Sequence, residues 1–381
     1  MPAVLWPLLF GNYVIGSGVM VVAGTLNEIS TDLSVSVATA GQLISVGALV
    51  MCIGAPTLAF FVSGWDRRRL LSLSLVWFAL LLGLCAVMPS FAALLPVRAL
   101  SLIAPAIFTP QATACIGLLV PLEQRGRAIS FVFLGWALAS VLGMPMAALL
   151  GGLFGWRVAF ATVGVLAGLS AAWVWLAMPD GVRPAAMSGD AWRRTLQSPA
   201  LILTVGVTLC SSAGQFTLMA YLAPYFKQVL DASPKDLSLA FLWFGVFALV
   251  GNLLMSRFIE SVGSARGVLI SQGVMALAFA LWPLGQSWPL ALAVLAPWAL
   301  GCFAANSAQQ ARLVGIAPSL ASGSVALNSA AMYAGQAIGA AIGGAMVAVG
   351  QIDQLHAAGL VGLLLSIGCS MWASRQRPPA T

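Results

Sequence analysis

Residues 39–62 read TAGQLISVGALVMCIGAPTLAFFV, residues 63–69 read SGWDRRR, and residues 70–89 read LLSLSLVWFALLLGLCAVMP. Two apolar stretches, each long enough to cross a bilayer at about 20 residues, flank a short basic link. The same alternation runs through the whole chain. It predicts spans near 4–26, 39–62, 70–89, 91–118, 128–152, 157–178, 200–224, 237–258, 267–286, 288–312, 322–348 and 355–374. Composition agrees, since 61% of residues are hydrophobic and only 7% are charged. A soluble domain needs about 25% charged residues to cover its surface. Lipid offers backbone N–H and C=O groups no partner, so spans must be helices or a closed barrel. Barrel strands alternate apolar and polar residues, whereas these runs are apolar throughout. The chain reads as an all-α membrane protein, and its 381 residues leave no room for a large domain outside the bilayer.

The net charge of +7 comes from basic residues dispersed through the loops, which argues for topology and against nucleic acid. With the N-terminus inside, the inner face carries Arg67, Arg68, Arg69, Arg125, Arg127, Arg183, Arg193, Arg194, Arg257, Arg266, Arg312, Arg375 and Arg377. The outer face carries Arg157, Lys227 and Lys235. This bias follows the positive-inside rule and places both termini in the cytoplasm. The six cysteines lie in apolar runs without paired spacing and read as small packing residues, and the single His356 cannot form a metal site alone. No cofactor is expected. The first apolar stretch lacks a basic leader and reads as a span, not as a cleaved signal peptide.

The longest polar stretch between spans, residues 179–199, holds Asp180, Arg183, Asp190, Arg193 and Arg194. It divides the chain into a first six-helix half at 1–178 and a second at 200–381. Adding 197 carries Gly54 to Gly251, Arg69 to Arg266, Pro121 to Pro318 and Gly126 to Gly323, each onto the equivalent span or inner loop. Twelve transmembrane helices in two pseudo-symmetric six-helix bundles suit a transporter that alternates access by rocking its halves about a central site.

Several segments carry a resemblance. Residues 54–59, GAPTLA, with 63–70, SGWDRRRL, resemble the basic signature loop of the major facilitator superfamily, between its helices two and three. Arg98 stands where the bacterial arabinose-efflux and drug-efflux branch carries an arginine in helix four. Pro121–Arg127, PLEQRGR, looks like the loop before helix five, and Gly155–Phe160, GWRVAF, like the turn into helix six. Gly143-Met-Pro145 with Gly151-Gly152 resembles the efflux-type signature of helix five. The resemblance covers essentially the whole chain and implies the major facilitator fold. The sequence departs from the pattern at Ser63, where relatives carry aspartate, and at Asp66, where they carry glycine.

The resemblance and the chemistry together nominate residues. Arg98 is charged within a span, and such a group needs a cavity, a partner or an interface to snorkel to. Asp66, Arg67, Arg68 and Arg69 read as topology anchors and as a charged inner gate. Gly143, Pro145, Gly151 and Gly152 read as a bending and sliding surface in helix five, set against helix eleven with its Gly335, Gly339, Gly343 and Gly344. The alternative for these is plain small-residue packing. The resemblance implies that helices one, four, seven and ten line the cavity, which nominates Asn12, Tyr13, Gln111, Gln215, Tyr221, Asn306, Gln309 and Gln310. Each of these can equally bridge helices. Phe216, Trp136 and Tyr333 are candidate apolar walls. Glu28 and Asp32, at the outer end of helix one, are the carboxylates nearest to a proton-coupling position.

The expected activity is export of a small organic molecule, a sugar, nucleoside or neutral drug-like compound, across the bacterial inner membrane by a proton-coupled monomer. Import, or uncoupled facilitation, of a similar solute is the alternative. A membrane enzyme would need a cluster of catalytic residues at one depth, a sensor would need an output domain, and ATP drive would need a GxxxxGK[ST] loop; the sequence has none of these.

Overall fold

The computed structural model describes residues 3–62, 64–121, 125–183, 193, 195–317 and 320–376; at 59, 60, 117, 118, 125–127, 129, 130 and 321–323 it describes the backbone alone. Twelve helical spans are present: Leu5–Gly24, Val37–Leu58, Arg67–Ala86, Phe91–Ile116, Phe131–Phe154, Trp156–Ala177, Pro199–Leu230, Pro234–Val262, Ser264–Leu284, Trp288–Ile316, Ser324–Ala348 and Ile352–Ala373. They are numbered here as spans 1 to 12. Their outer surfaces carry bare Leu80, Val165, Leu169 and Leu176, the last 81% exposed. Apolar side chains turned outward in such numbers mark a surface meant for lipid.

Local chemistry sets the helix ends. Ser36, Asp66, Ser90 and Ser198 each accept a hydrogen bond from the backbone N–H three residues on, capping spans 2, 3, 4 and 7. Gly155 and Gly263 take positive φ values of 90° and 84° where consecutive spans turn sharply into each other. Span 5 changes from α to π geometry over Ala139–Gly143, just before Pro145. Proline has no N–H for the carbonyl four residues back, and a wider turn relieves that clash. Span 1 ends at Gly24 and continues as a separate short helix, Leu26–Asp32. Span 7 breaks at the corresponding point, between the helices Pro199–Met219 and Leu222–Leu230.

The chain divides into one compact unit of Met1–Ala186 with Ser233–Leu242 and a second of Met187–Ala232 with Trp243–Thr381. Of the segment read as a linker, 184–192 and 194 lie outside the described residues. In the first unit, span 1 packs against span 5 where Gly135 faces the backbone of Leu9 and Tyr13. In the second unit, Gly335, Gly339 and Gly343 face Leu209, Ala213 and Thr217 of span 7. The repeat shows again in detail. Arg69 and Arg266 are each the third residue of their helices, Arg67–Ala86 and Ser264–Leu281. Gly54 meets Ala106 of span 4, and Gly251 meets Leu300 of span 10. Pro318, and the side chains at 126 and 323, lie outside the described residues.

Candidate functional site

Arg98 lies on the first helix of span 4, Phe91–Ser101, and is 2% exposed. Its Nη2 donates to the carbonyls of Gly18 (2.8 Å) and Val19 (3.2 Å) on span 1. The guanidinium stands 5.8 Å from the Phe160 ring centroid on span 6. Its Nε and Nη1 have no hydrogen-bond partner among the described residues. The side chain therefore turns inward to backbone carbonyls; it neither snorkels to the interface nor lines an open face of its bundle. A cation held this way is only partly compensated for its loss of water. The pairing puts a fixed positive charge in the interior of the first unit.

A second polar chain ties spans 1, 4 and 5. Asn12, fully buried, donates from Nδ2 to Val132 O at 3.2 Å and accepts from Thr109 Oγ1 at 2.8 Å. Trp136 Nε1 in turn donates to Thr109 Oγ1 at 3.2 Å. Every amide group of Asn12 is thus engaged, and it bridges helices. Tyr13 is half-buried beside Phe10, and Gln111 is buried; neither side chain has a hydrogen-bond partner among the described residues.

In the second unit Gln215 accepts from Trp298 Nε1 at 3.2 Å and donates to Ser211 Oγ at 3.1 Å. Tyr221 donates its hydroxyl to Ala340 O at 3.0 Å, joining the break in span 7 to span 11. Gln309 turns to span 7 and donates to Thr204 O. Gln215, Tyr221 and Gln309 are therefore interhelical bridges as well. Asn306 and Gln310 differ: both are half-buried, stand one turn apart on one face of span 10, and have no hydrogen-bond partner among the described residues. Phe216 and Tyr333 lie on spans 7 and 11, with Tyr333 buried.

Sequence reasoning missed Thr109, Trp298 and the bond from Thr208 Oγ1 to Asn328 Oδ1 at 2.5 Å across spans 7 and 11. Asn328 offered a signal, because an amide inside an apolar span needs an internal partner.

The basic loop is fastened to its own bundle. Asp66 accepts from Arg69 N at 3.2 Å and from Gly181 N at 2.7 Å. Arg67 is buried; its N donates to Val182 O at 3.0 Å, and Nη1 donates to Val62 O and Trp65 O. Arg68 donates to Trp175 O at 2.8 Å and stacks over that ring at 4.6 Å. Arg69 is exposed. These contacts hold the start of span 3 to the chain that leaves span 6, and Ser63 lies outside the described residues.

The glycines of span 5 pack closely within the first bundle. Gly143 faces Ser17 and Gly151 faces Thr25, so their partner is span 1. Gly335, Gly339 and Gly343 face span 7. Each set of glycines has close neighbours within its own bundle. Small residues go where backbones must come closest, and here that is 5 on 1 and 11 on 7. Gly152 faces Pro234, in the short segment grouped with the first unit, and Pro145 follows the π-turn.

Glu28 and Asp32 sit on the helix Leu26–Asp32, beyond span 1. Asp32 pairs with Arg157 and accepts from Trp156 Nε1 at 3.0 Å. Those bonds, Arg157 first and Trp156 second, hold its carboxyl below the usual aspartate value. Asp32 thus stays ionised through the neutral range. Glu28 is half-buried on the same helix.

The Major Facilitator Superfamily profile matches residues 8–209 and 204–381. The chain is 28% identical over 348 residues to "Inner membrane transport protein YdhP" of Escherichia coli K12, covering 91% of this chain and 89% of that one. It is 31% identical over 286 residues to "Chloramphenicol resistance protein" of Streptomyces lividans, covering 73% of each. A crystal structure of a bacterial homologue of the human lysosomal transporter Spinster superposes with a TM-score of 0.79 at 19% identity, over 99% of this chain and 98% of the other. With matching segments in both halves and the fold in common, the chain belongs to the Major Facilitator Superfamily and is a transporter, not an enzyme.

Proposed function

We propose that the protein exports a small organic molecule from the bacterial cytoplasm, crossing the inner membrane by alternating access with proton coupling. The observation that carries export is the span 5 signature, Gly143, Pro145, Gly151 and Gly152, built around a π-turn and seated on span 1. Relatives named as a chloramphenicol efflux pump and as a probable sugar efflux transporter support the same direction. The substrate is an uncharged or weakly anionic compound: a sugar, a nucleoside or a neutral drug-like molecule. The eight carboxylates among the described residues lie in links or within about one turn of a span end, so among these no deep acid favours a cation. The phenol and amides of Tyr13, Gln111, Asn306 and Gln310 are left to bond a neutral polar solute. Arg98 adds a fixed positive charge. Glu28 is the carboxylate assigned to the proton, since Arg157 occupies Asp32. Asp66, Arg67 and Arg68 keep the inner end of the first bundle rigid as access alternates, with both termini cytoplasmic and the protein a monomer.

Chloramphenicol, an uncharged amide, is the first compound to test, within a labelled panel of sugars and nucleosides. Cells overexpressing the protein are expected to accumulate less of at least one compound than cells lacking it. Inverted vesicles with an acidic lumen are expected to take that compound up, and a protonophore to stop the uptake. Equal accumulation across the panel defeats export, and flux in the opposite sense makes the protein an importer.

A further inference from the structure

The outward face of span 12 changes character along its length. Val361, Leu365, Gly368, Trp372 and Arg375 follow one another at steps of four, three, four and three residues, a single stripe of a helix. The apolar part of that stripe is hollow. Val361, Leu364, Leu365, Gly368, Cys369 and Trp372 line an open groove of about 410 Å³. A Cβ on Gly368 would meet no atom within 4 Å, so the absent side chain leaves a notch in the groove. Cys369 forms its floor, packed on the buried cluster of Val207, Val268 and Ala308. Val361, Leu364, Leu365 and Trp372 are each more than half exposed, so the groove opens on the surface that lipid covers.

One end of the groove is cationic. Arg375 lies in the turn after the helix Leu355–Ala373, its backbone N–H on Trp372 O at 3.0 Å, and is exposed. Neither its guanidinium nor the Trp372 indole N–H has a hydrogen-bond or ion-pair partner among the described residues. The neighbouring Ser370 and Ser374 hold Arg312 of span 10, whose Nη1 donates to Ser370 Oγ at 2.9 Å and Nη2 to Ser374 Oγ at 3.0 Å. Arg257, Arg266, Arg312 and Arg375 mark this end of spans 8, 9, 10 and 12, against one described carboxylate, Glu260. The opposite end of span 12 begins at Asp353, so an anion is favoured at one end only.

We propose that this groove binds one anionic phospholipid, with an acyl chain in the notch at Gly368 and the headgroup phosphate on Arg375 and the Trp372 indole. The two ends of the site match the two ends of such a lipid. A guanidinium offers phosphate parallel N–H donors, and an indole joins an apolar body to one polar tip. The topology proposed above sets this end in the inner leaflet, whose anionic lipids attract arginines beside a span. A second copy of the chain fits less well. Two copies meeting at this face in one membrane would set their Arg375 side chains at the same depth, like charge against like, whereas the lipid neutralises the charge.

The test uses the full chain in detergent with phosphatidylglycerol that carries a photoactivatable diazirine in its acyl chain, followed by digestion and mass spectrometry. An adduct on residues 361–372 is expected, and unlabelled phosphatidylglycerol should displace it at lower concentration than phosphatidylcholine. Arg375→Gln should weaken phosphatidylglycerol about fivefold, the worth of one arginine at a membrane surface, and leave phosphatidylcholine unchanged. Gly368→Leu, which fills the notch from an open position, should lose the adduct at an unchanged melting temperature. Lys227→Gln, at the far end of span 7, should leave both lipids as in the parent. Equal displacement by the two lipids, labelling spread evenly over the spans, or an unchanged preference in Arg375→Gln would overturn the proposal. A dimer in lipid-poor detergent that Gly368→Leu dissolves would give the groove to a second copy and overturn it as well.

Discussion

The two bundles share a skeleton and differ in what they bury at the same place. Adding 197 carries Arg98 to Leu295, Gly18 to Gln215 and Ser101 to Trp298. In the first bundle that place holds a cation on the carbonyls of Gly18 and Val19. In the second it holds a neutral pair, Gln215 and Trp298, with Leu295 fully buried beside them. Trp298 also packs against Phe279, Phe244 and Trp282, with ring centroids 4.9, 5.3 and 5.8 Å away. The contacts that let helices approach are kept, with spans 5 and 11 set against spans 1 and 7 through glycines. Close backbone packing tolerates few side chains, so the duplicated skeleton constrains it tightly. A buried polar group needs only an internal partner, and many pairs satisfy that need. Chemistry can therefore diverge where packing cannot, and at this place the fixed charge belongs to the first half.

The largest expected effect tests the neutral half. Trp298→Ala removes the centre of the aromatic cluster and leaves a cavity, at a cost of about 3–5 kcal/mol. Ser101→Ala, at the corresponding place, deletes only a local bond to Arg98 O and should cost under about 1 kcal/mol. Thermal unfolding in detergent reads both. Equal losses would mean that the two places carry the same structural weight, and the comparison would fail. Next comes the glycine packing. A Cβ on Gly339 meets the backbone of Ala213 and Thr217, which cannot move aside, whereas the nearest atom to one on Gly143 is Ser17 Oγ, which can rotate away. Gly339→Ala should destabilise by about 1–3 kcal/mol, and Gly143→Ala by clearly less. A reversed order would show that span 1 is held more rigidly than span 7.

Transport itself separates Arg98 from Leu295. Arg98→Met is expected to cut export at least about tenfold, about 1.4 kcal/mol in the barrier. The same change should not lower the melting temperature, because it removes an incompletely paired buried charge. Arg98→Lys should not restore export, since an ammonium lacks the planar fork of the guanidinium. Leu295→Met should leave both export and stability near the parent. Full export by Arg98→Met would reduce the buried cation to a packing feature.

Much of this was legible in the sequence, and the reason is the solvent. Lipid forces apolar runs and helical backbone, so the twelve spans could be read directly. Side-chain facing could not. Asn12, Gln215, Tyr221 and Gln309 look like Asn306 and Gln310 in sequence, yet the first four bond to neighbouring helices. An amide inside a span must face protein or water, and composition cannot say which. The glycines of span 5 were legible as a packing surface, but their partner was not, because small residues specify closeness and leave the neighbour open.

The smallest expected effect concerns the outer edge of the first bundle. There Arg157 joins Asp32 to Met88 O and stacks on Trp156 at 4.5 Å. The second bundle has Val229 and Gln354 at the corresponding positions and so has no such clamp. The pair is partly exposed, 37% for Arg157 and 47% for Asp32, so Asp32→Asn should cost under about 1 kcal/mol and less in high salt. The sign with pH follows from the lowered carboxyl. Its stabilisation is fully present above the unfolded aspartate value of about 3.9 and disappears as pH falls through the lower folded value. The stability difference between parent and Asp32→Asn should therefore be constant from pH 5 to 8 and vanish in strong acid. Because Asp32 does not titrate in that neutral window, its substitution should leave the pH profile of export unchanged, while Glu28→Gln should flatten it. A profile that moves with Asp32→Asn and ignores Glu28→Gln would transfer the proton to the clamp, and would make this exposed ion pair the element that sets the first bundle apart.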